Sequence, residues 1–187
     1  MYSVIVPVHG GEIFYSSFAR SYKKSGLNEI ESLELLFISN KNDLYNERLK
    51  QILEENNITF KLYEYNEKSS SYAARNYGAK LSIGEYLLFV DIDILWPETY
   101  SNDLKSLALR SDCIYAGRVD MFMPAGLNTK VDRLAGSIDK LIFLNTVKLS
   151  KLELGVTAHA IIPIKIHEQF KFRVVESGGD IDFFKRA

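Results

Sequence analysis

SYAARNYGAKLSIGEYLLFVDID, Ser71 to Asp93, is the stretch on which the reading of the fold turns. It reads as a short helix, a turn marked by Gly84 and Glu85, a strand, and two carboxylates two residues apart. The run Tyr86 to Val90 is continuously apolar, as suits a strand buried on both faces. Asp91 and Asp93 stand where that run ends. A carboxylate leaving a buried strand must meet water, a partner or a metal, because an unpaired buried charge is very costly. Residues i and i+2 of a strand share a face, so the two acids are expected to converge on one cation or ligand.

Working outward, the same alternation recurs on the N-terminal side. Tyr2 to Val8 is a β-branched run with a proline near its end, and reads as a first buried strand. His9, Gly10 and Gly11 form a loop, and Glu12 to Gly26 has apolar residues near helical spacing. Leu33 to Ser39 predicts a second strand. A turn from Asn40 to Asp43 follows, with Asp43 as a cap for a helix over Leu44 to Asn56. Ile58 to Tyr65 alternates as a third strand. This β-α-β-α-β-α-β order predicts a mostly parallel sheet with helices on both faces. Ligands of such sheets bind beyond the carboxyl ends of the strands. Those ends are His9, Ser39-Asn40 and Asp91-Asp93.

Beyond Asp93 the pattern predicts a helix near Thr99 to Arg110 and a short strand over Cys113 to Arg118. A helix over Val131 to Leu144, a strand within Gly155 to Pro163 and a helix over Ile164 to Phe170 follow. The last stretch, GGDIDFFKRA, reads as a loop entering a short helix with Asp180 near its N-terminus, where a carboxylate is favoured. That brevity points either to an early natural end or to a piece of a longer protein.

The 187 residues suit one domain with a full core. A hydrophobic fraction of 47% and a charged fraction of 25% match a soluble globular protein. The net charge of -1 offers no basic surface for nucleic acid. Cys113 is the only cysteine, which fits a reducing compartment, and its apolar surroundings read as core packing. No stretch approaches the roughly 18 apolar residues of a membrane span, and the N-terminus lacks a signal-peptide pattern. A cytoplasmic protein is expected, with peripheral attachment at the inner face of a membrane left open.

Four pieces, in order, resemble the family 2 inverting glycosyltransferases of GT-A fold. They are SVIVPVHG, ARNYGAKLSIGEYLLFVDID, GVTAHAIIPIKIHEQF and ESGGDIDFFKR, which together run from residue 2 to residue 186. The second is the specific one. The resemblance implies a Rossmann-like three-layer α/β/α sandwich forming a single domain over 1–187. Residues 1–97 would be the nucleotide-sugar-binding half and 98–187 the acceptor-side half. It implies a nucleotide-diphospho-sugar donor, usually a UDP-sugar, with Mn2+ or Mg2+. The acceptor would be a saccharide or a lipid-linked molecule, in cell-surface polysaccharide or glycoconjugate synthesis. Pro7 and His9 fall where the family contacts the nucleoside, with His9 in place of the usual tyrosine. Ser39 and Asn40 replace a pair of aspartates. Arg75 matches the family's arginine, and Asp91 and Asp93 match its metal motif. Asp180 matches the catalytic base, with Gly179 where a glutamate is common. The basic-aromatic motif of processive synthases is absent.

Inverting transfer needs a neutralised diphosphate and a deprotonated acceptor hydroxyl. A divalent ion held by one or two carboxylates plus diphosphate oxygens meets the first need. Asp93 is expected to ligate the metal directly. Asp91 is expected to bond to ribose or metal-bound water, and Arg75 to uracil or diphosphate. A positioned carboxylate, Asp180, meets the second need, with a typical contribution of roughly 10²–10⁴-fold. Glu176 and Asp182 compete for that role, though Asp182 is expected to face away. His159 and His167 read as structural. Two other readings stand beside this one. A nucleotidyltransferase is disfavoured because PVHGGEIF lacks basic residues. A non-catalytic, donor-binding-only domain fits the short C-terminal end and the Gly179 departure.

Overall fold

The structure, a computed structural model, describes residues 1–40, 44–65, 70–116, 160–175 and 179–187. The expected Asp43 cap, the helix over Val131 to Leu144, His159 and Glu176 lie outside the described residues, as does the first part of the Gly155 to Pro163 strand.

Among the described residues, six strands form one sheet in the order β3-β2-β1-β4-β6-β5. They are β1 (Tyr2–Val8), β2 (Leu33–Asn40), β3 (Lys61–Tyr65), β4 (Tyr86–Phe89), β5 (Tyr115–Ala116) and β6 (Ala160–Pro163). The pairs among β1 to β4 are parallel, whereas β6 runs antiparallel to both β4 and β5. The expected mostly parallel α/β architecture is therefore present. The antiparallel edge is the part that strand composition does not record.

The described helices are α1 (Glu12–Lys24), α2 (Asn46–Glu55), α3 (Ser71–Leu81), α4 (Tyr100–Ser106), α5 (Ile164–Phe170) and α6 (Gly179–Arg186). Strand alternation sorts the core into two layers. Val4, Val6, Leu35, Phe37, Leu88 and Val90 pack with Phe18 and Tyr22 of α1 and Leu49 and Leu53 of α2. Ile5, Leu36, Ile38, Leu87 and Phe89 pack on the other side with Tyr72 and Ala79 of α3 and Phe183 of α6. Each fully buried large side chain contributes about 1.5–3 kcal/mol of transfer free energy, so both faces are strongly committed to cover.

Several boundaries differ from expectation for local reasons. β3 starts at Lys61 rather than Ile58. Asn57 has φ 55°, and the Ile58 N–H returns to the Leu53 carbonyl, so these residues close α2 before pairing can begin. α2 starts at Asn46, and Leu44 before it is 90% exposed. α4 stops at Ser106 because Leu107 is extended. Cys113 is only partly buried and its thiol donates to Asp112, so it is not the core residue its apolar neighbours suggest.

Candidate functional site

The chain leaves β1 for β2 and β3 on one side, then crosses to β4 on the other. Between β1 and β4 the strand order reverses, and the carboxyl ends of parallel strands diverge there to leave a crevice. A cleft of about 540 Å³ occupies this edge, a size that suits a small-molecule ligand. Its lining includes Pro7 and His9 after β1, Ser39 and Asn40 at the end of β2, and Asp91, Ile92 and Asp93 after β4. Tyr65, at the end of β3, and Ser70 and Ser71, where α3 begins, complete the polar part of the wall. A helix N-terminus with unsatisfied N–H groups favours anionic ligands.

Asp91 and Asp93 owe their placement to a turn rather than to strand alternation. β4 ends at Phe89, the Val90 N–H bonds to the Ile5 carbonyl, and the Ile94 N–H bonds back to the Asp91 carbonyl at 3.2 Å. The same-face argument for strand residues therefore does not apply, although both acids line the cleft. Trp96 holds the exit of this turn. Its ring meets Phe18, Tyr22 and Tyr100 edge to face at 6.4, 6.0 and 4.9 Å.

The two acids have different surroundings. Asp93 is exposed and makes no hydrogen bond or ion pair with a described residue. Asp91 accepts a hydrogen bond from Arg75 Nη2 at 2.5 Å. Arg75 is 4% exposed and lies beneath the cleft wall rather than in its lining. Its second hydrogen bond is to Ser71 Oγ at 3.4 Å, and its Nε has no hydrogen-bond partner among the described residues. The guanidinium also lies 5.4 Å from the centre of the Tyr72 ring, a cation–π contact. In this structure Arg75 thus neutralises and orients Asp91.

On the β1–β2 side, Asn40 Nδ2 donates to His9 Nδ1 at 2.5 Å. With the amide in that orientation the His9 ring keeps Nε2–H as its donor. Ser39 is almost fully buried, and its hydroxyl donates inward to Asn46 Oδ1 at 2.5 Å, while Asn46 Nδ2 donates to Glu64 Oε1 at 3.4 Å. The hydroxyl of Ser39 is thus engaged by α2, while Asn40 and His9 present polar groups at the rim.

Asp180 is half-buried at the start of α6 and is not part of the cleft lining. Its Oδ1 accepts a hydrogen bond from Tyr72 Oη at 3.2 Å. Tyr72 therefore joins Asp180 to the Arg75–Asp91 pair. Asp182 is engaged elsewhere, by Arg173 and Arg186. Asn76, next to Arg75, clamps the chain after α5: it donates to the Phe172 carbonyl and accepts from the Phe172 N–H and from His167. His167 is 3% exposed. Burial, and secondarily the Lys171 charge, push its pKa down to about 4. It is a structural histidine. Tyr72, Asn76 and Asn46 carry no mark in the sequence beyond their types, because each acts through a partner distant in the chain.

Three or more His, Cys, Asp or Glu side chains do not cluster into a metal cage among the described residues. Asp91 and Asp93 nevertheless fit a Mg2+ or Mn2+ ion that takes most of its oxygens from a bound diphosphate and water. The exposed Asp93 carboxylate beside Asp91, unpartnered among the described residues, is the observation that favours this donor set.

No protein-family model matches the chain, and no curated protein is similar to it. Solved structures are. Staphylococcus aureus TarS aligns with a TM-score of 0.67 at 16% identity, over 98% of this chain and 32% of that one. Its residues 1–349 in complex with UDP-GlcNAc align at 0.63 and 17%, over 100% of this chain and 52% of that one. The mannosyltransferase PcManGT of Pyrobaculum calidifontis, in complex with GDP-Man and Mn2+, aligns at 0.66 and 15%, over 96% and 49%. The chain has the GT-A glycosyltransferase fold. It spans about a third to a half of the length of these GT-A neighbours. Within the GT-A fold the cleft lies at the switch point between β1 and β4. No helix among the described residues is long and apolar enough to cross a membrane.

Proposed function

We propose that this GT-A domain transfers a sugar from a nucleotide-diphospho-sugar, a UDP-sugar in the first instance, to an acceptor hydroxyl with inversion. The observation that carries the proposal is Asp93, exposed on the cleft wall beside the Arg75-held Asp91 and without a hydrogen-bond or ion-pair partner among the described residues. Structural neighbours in complex with UDP-GlcNAc, and with GDP-Man and Mn2+, support a nucleotide-sugar donor and a divalent ion. Family 2 chemistry, a non-processive mode and a place in polysaccharide or glycoconjugate synthesis at the cytoplasmic face of the membrane follow the motif resemblance.

Asp93 and Asp91 would hold Mn2+ or Mg2+. The bound ion would supply charge neutralisation for the diphosphate leaving group. The protein's own groups do the rest. His9 and Asn40 offer a ring N–H and an amide to the nucleoside, with Pro7 and Ser39 shaping the wall. Arg75 keeps Asp91 aligned through its hydrogen-bonded ion pair, and adds fixed positive charge beneath the site. Asp180 takes the proton from the acceptor hydroxyl as general base.

A thermal-shift titration with UDP-GlcNAc and with GDP-mannose, each with and without Mn2+, tests the reading. A ligand that binds the folded state raises Tm by mass action, by about 2.7 kcal/mol of stability at 100 Kd. The expected result is a Tm increase that requires Mn2+. Absence of any metal-dependent shift with either donor would overturn the proposal. A donor shift with no release of UDP or GDP, equal in parent and Asp180→Asn chains, would favour a binding-only domain.

A further inference from the structure

Resting on this reading of the site, we propose that Tyr72 is the positioning residue for the Asp180 base, and that Gly179 is what admits it. Three observations converge. The Tyr72 hydroxyl donates to Asp180 Oδ1 at 3.2 Å across 108 residues of sequence. The Tyr72 ring is held on the other side by packing against Phe172, with centroids 5.9 Å apart, and by Arg75 at 5.4 Å. A Cβ built on Gly179 would lie 2.8 to 2.9 Å from three atoms of the Tyr72 ring, closer than real Cβ contacts occur.

The third observation gives the glycine a physical reason. Any side chain at position 179 would occupy the volume that the ring fills. In this chain the absence of a side chain at 179, where a glutamate is common in the resembling family, leaves room for the aromatic ring from α3. The ring brings a hydroxyl that gives Asp180 a fixed hydrogen-bond donor. A carboxylate on a short helix near the end of the chain otherwise has several rotamers. The donor selects among them, as partners of ligating residues do in metal sites. Because Tyr72 also contacts the Arg75 that holds Asp91, one ring references the base and the Asp91 carboxylate to the same helix, α3. Pre-alignment of this kind matters because small misplacements of reacting groups cost large factors in rate.

The test uses Tyr72→Phe, which keeps the ring and removes the hydroxyl, with Gly179→Ala as the second variant. Release of UDP from UDP-GlcNAc and of GDP from GDP-mannose is followed with Mn2+, so no acceptor need be known. Tyr72→Phe is expected to lower kcat roughly 10–100-fold, the range for lost partners of functional groups, with donor KM within about twofold. Gly179→Ala is expected to do the same by displacing the ring. Tyr72→Phe combined with Asp180→Asn should be no slower than Asp180→Asn alone, since the hydroxyl acts only through that carboxylate. Parental kcat in Tyr72→Phe, or losses that multiply in the double variant, would overturn the positioning role while leaving sugar transfer intact. A parent chain that releases nucleotide from neither donor would overturn the reading of the site and the role of Tyr72 with it. Coupling between the two substitutions in urea melts reads the hydrogen bond without activity, and its absence would also overturn the proposal.

Discussion

Asp91 and Asp93 lie two positions apart in one turn, yet they differ in what they hold, and their variants should differ accordingly. Asp93 is exposed and makes no hydrogen bond or ion pair with a described residue. Asp93→Asn is therefore expected to leave the stability of the ligand-free protein within about 0.5 kcal/mol of the parent, as for surface sites without special partners. The Mn2+-dependent part of the donor-induced Tm shift should vanish in the same variant. Asp91 is the ion-pair partner of an arginine whose side chain is 5% exposed. Asp91→Asn leaves that guanidinium short of its counter-charge. Removal of one member of a fully buried pair costs about 3–5 kcal/mol. Asp91 itself is 47% exposed, so solvent screens the loss, and about 1–3 kcal/mol is expected from urea denaturation. The pair thus separates by experiment into one acid needed for ligand and one needed for both ligand and fold. That distinction was not legible in the DID motif, whose two acids look equivalent. It arises from Arg75, whose side chain folds under the cleft because α3 packs directly on the sheet.

At the scale of the element, the closeness of α3 to the sheet depends on Gly78. A Cβ there would lie 2.5 Å from Ile5 Cγ2 and 3.0 Å from Ile38 Cγ1. Alanine would gain up to about 1 kcal/mol of helix propensity, but overpacking against β-branched side chains in two central strands costs about 1–3 kcal/mol. Gly78→Ala is expected to be destabilising on balance, with Tm lowered by several degrees in calorimetry. Because Tyr72 and Arg75 ride on the same helix, donor binding should weaken as well. The elements themselves were largely readable. β1, β2 and β4 announce themselves by apolar runs, and α1 and α5 appear close to where periodicity predicts them. The antiparallel placement of β6 was not readable, since an AIIP segment has the same composition whichever way its neighbour runs. Nor was the start of β3, predicted at Ile58 and found at Lys61, which is set by an Asn57 turn of positive φ. The candidate site followed the same rule. Residues at strand ends were visible from order alone, whereas Tyr72, Asn76 and Asn46 act through contacts made only after folding.

At the scale of the whole molecule, acid should loosen the α5 side of the sheet first. His167 ordinarily titrates near 6.5, but burial, aided by Lys171, holds it at about 4 in the folded state. Between these values the unfolded chain binds a proton that the folded chain refuses, so stability rises with pH across this window and is lost as pH falls through it. The slope is at most about 1.4 kcal/mol per pH unit, which sums to no more than roughly 3 kcal/mol. Calorimetry at pH 7 and pH 5 should show the drop, and His167→Gln should reduce it. Glu34 responds lower on the scale. Burial raises its pKa, but the Ile83 N–H, Ser3 and Lys61 outweigh that effect and leave it below 4.5. Its contribution is therefore present above 4.5 and is lost as pH falls further, after most of the His167 effect. The placement of β6 also has a consequence for synthesis. β1 to β4 can pair as soon as Phe89 is available, but the second edge of β4 has no partner until Ala160–Pro163 is made. During that interval the nascent chain presents an apolar strand with unpaired backbone groups, a template for pairing with other chains. The vulnerable moment in the life of this protein is thus the stretch of translation between its fourth strand and the one that closes beside it.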